Sequence, residues 1–207
     1  MIAELIQTRY RPGALKEAQK MYGEGLPERT SLSPLAGHWR SEHGVLNQTL
    51  ELWPYDSLAH YADVQERIGR LAGWPAKALL DLSLEREVTL LAASSFSPPL
   101  QPRVLGRVYE LRTYAWAIGA MPLVDERWAA KVPEREQLSP LVGCFSTLTG
   151  RLDRLLHIWA YSDEAERLRI REEAVRIGAW PPAMEGRGGL SRQESLLMIP
   201  SPFSPLR

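Results

Sequence analysis

The sequence predicts an α+β fold built from two tandem β-α-β-β-α-β units, and three observations predict it. The second half repeats the first at an offset of 106 residues. Leu32-Ser33-Pro34-Leu35 returns as Leu138-Ser139-Pro140-Leu141, Pro27-Glu28-Arg29 as Pro133-Glu134-Arg135, and Trp74-Pro75 as Trp180-Pro181. Within each half, segments of period two alternate with segments of helical period. Each half then ends in Phe-Ser-Pro, at residues 96–98 and 203–205. Pro98, Pro99, Pro102 and Gly106 follow the first of these and read as a linker. The expected divisions are residues 1–97, a linker at 98–106, and residues 107–207.

The first strand is the alternating run Ile2, Glu4, Ile6, Thr8, Tyr10, matched by Val108, Glu110, Arg112, Tyr114, Trp116. A helix follows, with its apolar stripe at Leu15, Ala18, Tyr22 and Leu26, repeated at Met121, Val124, Trp128 and Val132. Pro27 and Pro133 are expected to end it, because proline lacks the amide proton a helix interior needs. A hairpin comes next, Leu35 to Ser41 with Leu46 to Trp53, turning at Gly44. Its copy runs from Leu141 to Thr147 and from Leu152 to Trp159, turning at Gly150. A second helix starts after a cap at Asp56 or Ser57 and carries Val64, Ile68 and Leu71 inward. The last strand covers Leu84 to Ala92, and again Leu190 to Ile199. One residue is inserted where the offset becomes 107, placed at Phe-Ser-Pro. This order is the ferredoxin-like split βαβ arrangement. Each sheet keeps one face free of helices, and face-to-face packing of the two sheets is expected to cover it.

Composition narrows the class. Twenty-five basic residues balance 25 acidic ones, which disfavours a nucleic-acid groove or a polybasic membrane patch. The single cysteine, Cys144, excludes an intrachain disulfide and fits a cytoplasmic setting. Met1 to Leu5 lacks the pattern of a signal peptide, and no apolar run approaches the roughly 20 residues of a membrane helix. No metal site is expected. His38 and His43 lie close together, but Cys144 and Thr149 stand at the equivalent positions, and three or four convergent ligands are needed. No cofactor is expected.

Glu110-Leu111-Arg112-Thr113-Tyr114, the run Gly37 to Gly44, Leu52-Trp53-Pro54-Tyr55 and the terminal Phe-Ser-Pro resemble the NIPSNAP family over nearly the whole chain. The resemblance implies a dimeric α/β barrel, here as a pseudo-dimer within one chain that could still form a homodimer. The wider superfamily includes cofactorless monooxygenases of aromatic polyketides, heme-degrading enzymes and lactone isomerases. Fold does not fix function. Roles of eukaryotic members in mitochondria and vesicle transport are not transferred.

The candidate site follows from the strand faces. Leu46, Gln48, Leu50 and Leu52 are the apolar set of one strand, and are assigned to the helix side. Asn47, Thr49, Glu51 and Trp53 then face the lumen, as do His157 and Trp159. Glu51, His157, Glu110 and Arg112 are the candidate acid–base or orienting residues, with Glu51 and His157 expected in one cavity. Glu4, Trp39, Asn47, Trp53 and Trp159 are candidates for ligand contact. The same charged residues could instead form a structural ion-pair set, since buried charge must be paired. Two readings follow. One is a small-molecule-binding protein with cofactorless chemistry on an aromatic or lipophilic substrate. The other is a non-catalytic scaffold whose lumen is filled. Heme degradation is the weakest, since no histidine stands out as an axial ligand.

Overall fold

The computed structural model describes residues 1–184 and 189–207. The N-terminal half contains β1 (Ile2–Tyr10), α1 (Leu15–Thr30), β2 (Gly37–His43), β3 (Gln48–Tyr55), α2 (Leu58–Ile68), α3 (Lys77–Leu82) and β4 (Ser83–Ala93). The C-terminal half contains β5 (Val108–Trp116), α4 (Met121–Glu136), β6 (Leu141–Thr147), β7 (Arg154–Tyr161), α5 (Glu164–Arg176) and β8 (Leu190–Pro200). The α+β class and the β-α-β-β-α-β order of each half match the repeat. Ser57 caps α2 by accepting the His60 amide, and Asp163 caps α5 by accepting that of Glu166. Gly44 and Gly150 sit in the hairpin turns at φ +102° and +74°, where a side chain would be strained. Among the described residues no helix is long and apolar enough to cross a membrane.

The way the halves meet differs from the expectation. They do not pack as two sheets face to face, and the dimeric α/β barrel implied by the resemblance is corrected. One chain supplies a single continuous sheet of eight strands in the order β1-β3-β2-β8-β5-β7-β6-β4, with β4 pairing back onto β1. The halves join edge to edge. Trp39, Arg40, Ser41 and His43 of β2 pair with β8, and Leu91 to Ala93 of β4 pair with β6. The physical reason is the edge strand. Each half alone would leave β2 and β4, or β6 and β8, with unpaired amides and carbonyls, and strand pairing satisfies them.

Two local expectations also fail. Both α1 and α4 run on past their internal prolines, Pro27 and Pro133. The extra turn is held by Arg29 and Arg135, whose buried guanidiniums reach into the sheet, and on α1 also by the Thr30 hydroxyl, which donates to the Leu26 carbonyl. The N-terminal half carries a short further helix, α3, between α2 and β4. The inserted residue precedes β8 rather than Phe-Ser-Pro. Tyr10 pairs with Ser83 and Trp116 with Leu190, so the offset is already 107 at the strand. Glu87 therefore corresponds to Glu194, and Arg86 to Gln193.

The two sheet faces are the reverse of the assignment made from polarity. Leu5, Leu50, Leu52, Leu111, Leu156 and Ile158 form one cluster inside the closed sheet with Trp39, Tyr109 and Phe145. Trp53 and Tyr55 pack under α1 and α2, and Trp159 and Tyr161 under α4 and α5. The interior is walled by strands that offer few side-chain donors, so it takes the leucines. The helices supply donors, so the charged residues face them. Leu46, placed with the apolar set, is instead exposed beyond the strand.

One end of the closed sheet is plugged. Leu206 is fully buried within the interior cluster, and Leu100 and Leu105 pack against it. Residues 98–106 thus do not run free. Arg103 and Leu206 form a parallel bridge, and the Leu105 amide donates to the Arg207 carbonyl.

Candidate functional site

Each half has a pocket between its sheet and its helices, built on equivalent residues. In the N-terminal half the space is full. Glu51 is buried and accepts the Tyr22 hydroxyl at 2.7 Å and the Trp53 indole at 3.1 Å. Glu4 accepts the Tyr55 hydroxyl at 2.9 Å and the Gln65 amide at 3.2 Å. Burial pushes both carboxyls above the ordinary range. The cavity left beside Glu51 and Trp74 is about 20 Å³, room for about one water.

In the C-terminal half the same positions enclose an open pocket of about 200 Å³. Arg112 replaces Ile6, His157 replaces Glu51, and Arg167 and Arg171 replace Tyr61 and Gln65. Arg112, Arg135 and Arg171 line this space, against one carboxylate among the described residues, Glu110, with Trp159, Trp180 and Tyr114 as aromatic wall. Glu110 Oε1 receives the Arg167 guanidinium at 2.6 Å and the Ser195 hydroxyl at 2.6 Å. Arg171 and Arg112 stand 3.5 and 3.6 Å from it. Burial raises this carboxyl, but the Arg167 and Ser195 hydrogen bonds and the neighbouring guanidiniums outweigh it and hold it below the ordinary value. The same glutamate in the two copies is thus shifted in opposite directions, because only one copy surrounds it with arginines.

His157 is fully buried. The Trp159 indole N–H donates to its Nδ1 at 2.7 Å. Indole nitrogen can only donate, so Nδ1 accepts and the imidazole proton sits on Nε2. That Nε2–H has no partner among the described residues, nor do Glu110 Oε2 and Arg112 Nε. Burial first, then Arg112, pushes the imidazole down to about 3, so it is neutral at ordinary pH. The pocket therefore offers a neutral hydrogen-bond donor, several guanidiniums and an already ion-paired carboxylate. It can bind an anionic group or polarise a carbonyl. It holds no free base at neutral pH among the described residues.

The expected residues scatter over four places. Glu110, Arg112, His157 and Trp159 do come together. Glu4, Glu51 and Trp53 belong to the filled N-terminal pocket, so Glu51 and His157 do not share a cavity. Trp39 lies inside the closed sheet against Tyr109, with ring centroids 5.5 Å apart. Asn47 is a hairpin residue at φ +54° whose carbonyl accepts the Tyr10 amide. The Glu110–Arg112 ion pair of the structural reading forms. Cys144 is buried in β6, where burial pushes its thiol up to about 12. Among the described residues no three metal-ligating side chains converge.

Sequence reasoning missed Arg135, Arg171 and Trp180. For Arg135 the signal was present: Pro-Glu-Arg recurs in both copies, and both arginines lie over a tryptophan, Arg29 on Trp53 at 3.8 Å and Arg135 on Trp159 at 4.3 Å. Trp180 reads from sequence as a helix plug but also lines the pocket.

The Phe-Ser-Pro motifs cross between halves. Ser204 Oγ accepts the His38 amide of β2, and Ser97 Oγ accepts the Cys144 amide of β6. Phe203 stacks on Tyr22 in the N-terminal half, while Phe96 packs into the C-terminal one. Each half is completed by the other's last residues.

The chain is similar to known proteins in sequence and in fold. Human NipSnap homolog 2 is 30% identical over 207 residues, covering 95% of this chain and 72% of that protein. Human NipSnap homolog 3A is 29% identical, covering 95% and 82%. A crystal structure from Lactobacillus acidophilus NCFM is 10% identical with a TM-score of 0.62, covering 96% of this chain and 93% of that one, a likeness of fold alone. The NIPSNAP family model matches twice, at residues 3–98 and 109–205, which together take in nearly all of both halves. The chain belongs to the NIPSNAP family.

Proposed function

We propose that this protein binds a small organic anion with an aromatic or apolar body in the pocket of its C-terminal half, and that any cofactorless chemistry occurs there. The observation that carries this reading is the conjunction at one small cavity of Arg112, Arg135 and Arg171, opposed among the described residues by Glu110 alone, with the buried Nε2–H of His157, which has no partner among them. A buried polar group without a partner costs about 1–3 kcal/mol, and a ligand oxygen would supply the partner. The volume suits a molecule of benzoate size, below the usual drug-sized range. The aromatic wall suits its ring. The N-terminal pocket, filled by its own hydrogen bonds, serves structure.

Benzoate titrated against the protein, followed by calorimetry and by the His157 ring signals in NMR, tests this. Arg112→Ile, which restores the residue of the other copy, should weaken benzoate about tenfold or more, the worth of one charge-assisted hydrogen bond. Glu51→Gln should leave it unchanged. Equal benzoate affinity in wild type and Arg112→Ile, or no saturable binding, would remove the assignment.

A further inference from the structure

The closed sheet is a cup, and we infer that its open end is a second binding site, for an amphiphile with a carboxylate head and an aliphatic tail. The plugged end is sealed by Leu100, Leu105 and Leu206. At the other end lies a cavity of about 600 Å³ to which both halves contribute. Its polarity is graded along the strands. Leu5, Leu111, Leu156 and Leu196 form the deep part. One step further out on the same strands come Gln7, Thr113, Arg154 and Glu194. An apolar floor under a polar mouth, with one entrance, admits a molecule tail first.

Arg154 selects the head. Its side chain is only 17% exposed, and its one ion-pair partner among the described residues, Glu194, is 4.0 Å away. Glu194 is itself engaged more closely by Arg192, at 2.5 Å. A guanidinium so enclosed and so weakly paired lacks a carboxylate. Gln48, its counterpart in the N-terminal half, is buried beside the same cavity and adds an uncharged amide. The remaining acid, Glu87, is exposed at the lip, where water screens it. The site stands apart from the C-terminal pocket: its walls are the strand faces that point away from the helices, and Arg112 and His157 do not line it.

Decanoate, decanol and decylamine, each titrated below its micelle concentration, test the site by calorimetry. Decanoate should bind saturably, with decanol at least tenfold weaker. Arg154→Gln should erase that difference. Leu156→Trp should fill the cup and abolish binding; if that variant does not fold, Thr113→Phe at the mouth serves the same purpose, with circular dichroism as the check. Arg112→Ile should leave decanoate binding intact. The inference is overturned by an absence of saturable binding, by tighter binding of decylamine, by full affinity in Arg154→Gln and a filled-cup variant, or by loss in Arg112→Ile.

Discussion

Two fully buried histidines should make the protein steeply sensitive to acid well above the carboxylate range. His38 is wedged between Tyr22 and Phe203, with ring centroids 4.4 and 4.9 Å away, and its Nδ1 lies 2.7 Å from the Ser201 hydroxyl. His157 is enclosed by Tyr114, Trp128 and Trp180. Burial holds each at about 3, against 6.5 in an unfolded chain. Between those values the unfolded state takes up protons that the folded state refuses, so stability falls as pH falls. Each histidine costs about 1.4 kcal/mol per pH unit in that window. From pH 6.5 to 4.5 the pair removes about 5 kcal/mol, comparable with the whole stability of a small domain. Glu4 and Glu51 act in the opposite sense. Their raised values let the folded state keep protons that the unfolded state has released, so their contribution grows as pH falls toward 4.5. Both glutamates are present in any histidine variant, so a comparison cancels them. Urea midpoints should be measured from pH 7.5 to 4.5 for wild type and for the double variant His38→Cys, His157→Gln. The variant starts less stable but should lose about 5 kcal/mol less on acidification. Parallel curves for the two proteins would show that the histidines are not held neutral by the fold.

Other substitutions probe the remaining contacts. Arg135→Met should cost about 2–4 kcal/mol in urea unfolding, because it strands the Tyr161 and Ser139 hydroxyls that now accept its guanidinium. Ser97→Ala should destabilise by about 1–3 kcal/mol through the orphaned Cys144 amide, although the two lie in different halves. Gly106→Ala should abolish or greatly weaken folding, since a Cβ there would sit 2.1 Å from the Tyr161 carbonyl oxygen, a backbone atom that cannot step aside. Expression of folded protein, checked by circular dichroism, decides it.

Much of the fold could be read from the chain because two copies report on each element. The order of elements along each half, the Ser57 cap and the hairpin glycines follow from local rules that hold whatever the neighbours do. The errors share one cause, which is contact beyond the element. Apolar Leu50 and Leu52 could have faced either side, and polarity alone chose the helices. The choice was decided by donors far away in sequence: Tyr22 for Glu51, Gln65 for Glu4 and Arg167 for Glu110. Pro27 looked like a stop because its missing amide is a local fact, whereas the anchor that carries the helix past it, Arg29 on Tyr55 and Trp53, is not. The mismatches between copies mark where the two pockets differ. Ile6 against Arg112 and Glu51 against His157 do separate a filled pocket from an open one.

The crossing Phe-Ser-Pro segments bear on how such a protein can evolve. Two identical chains assembled in this way would share every substitution, so a change that opened one pocket would open both and strip both of their internal hydrogen bonds. Joining the copies in one polypeptide releases that constraint. One pocket can stay packed and carry stability while its twin gives up Tyr22, Glu51 and Gln65 for Trp128, His157 and Arg171. The tether also makes the meeting of the halves unimolecular, so the open pocket persists at any dilution. A difference between one packed pocket and one open pocket is thereby written into a single polypeptide.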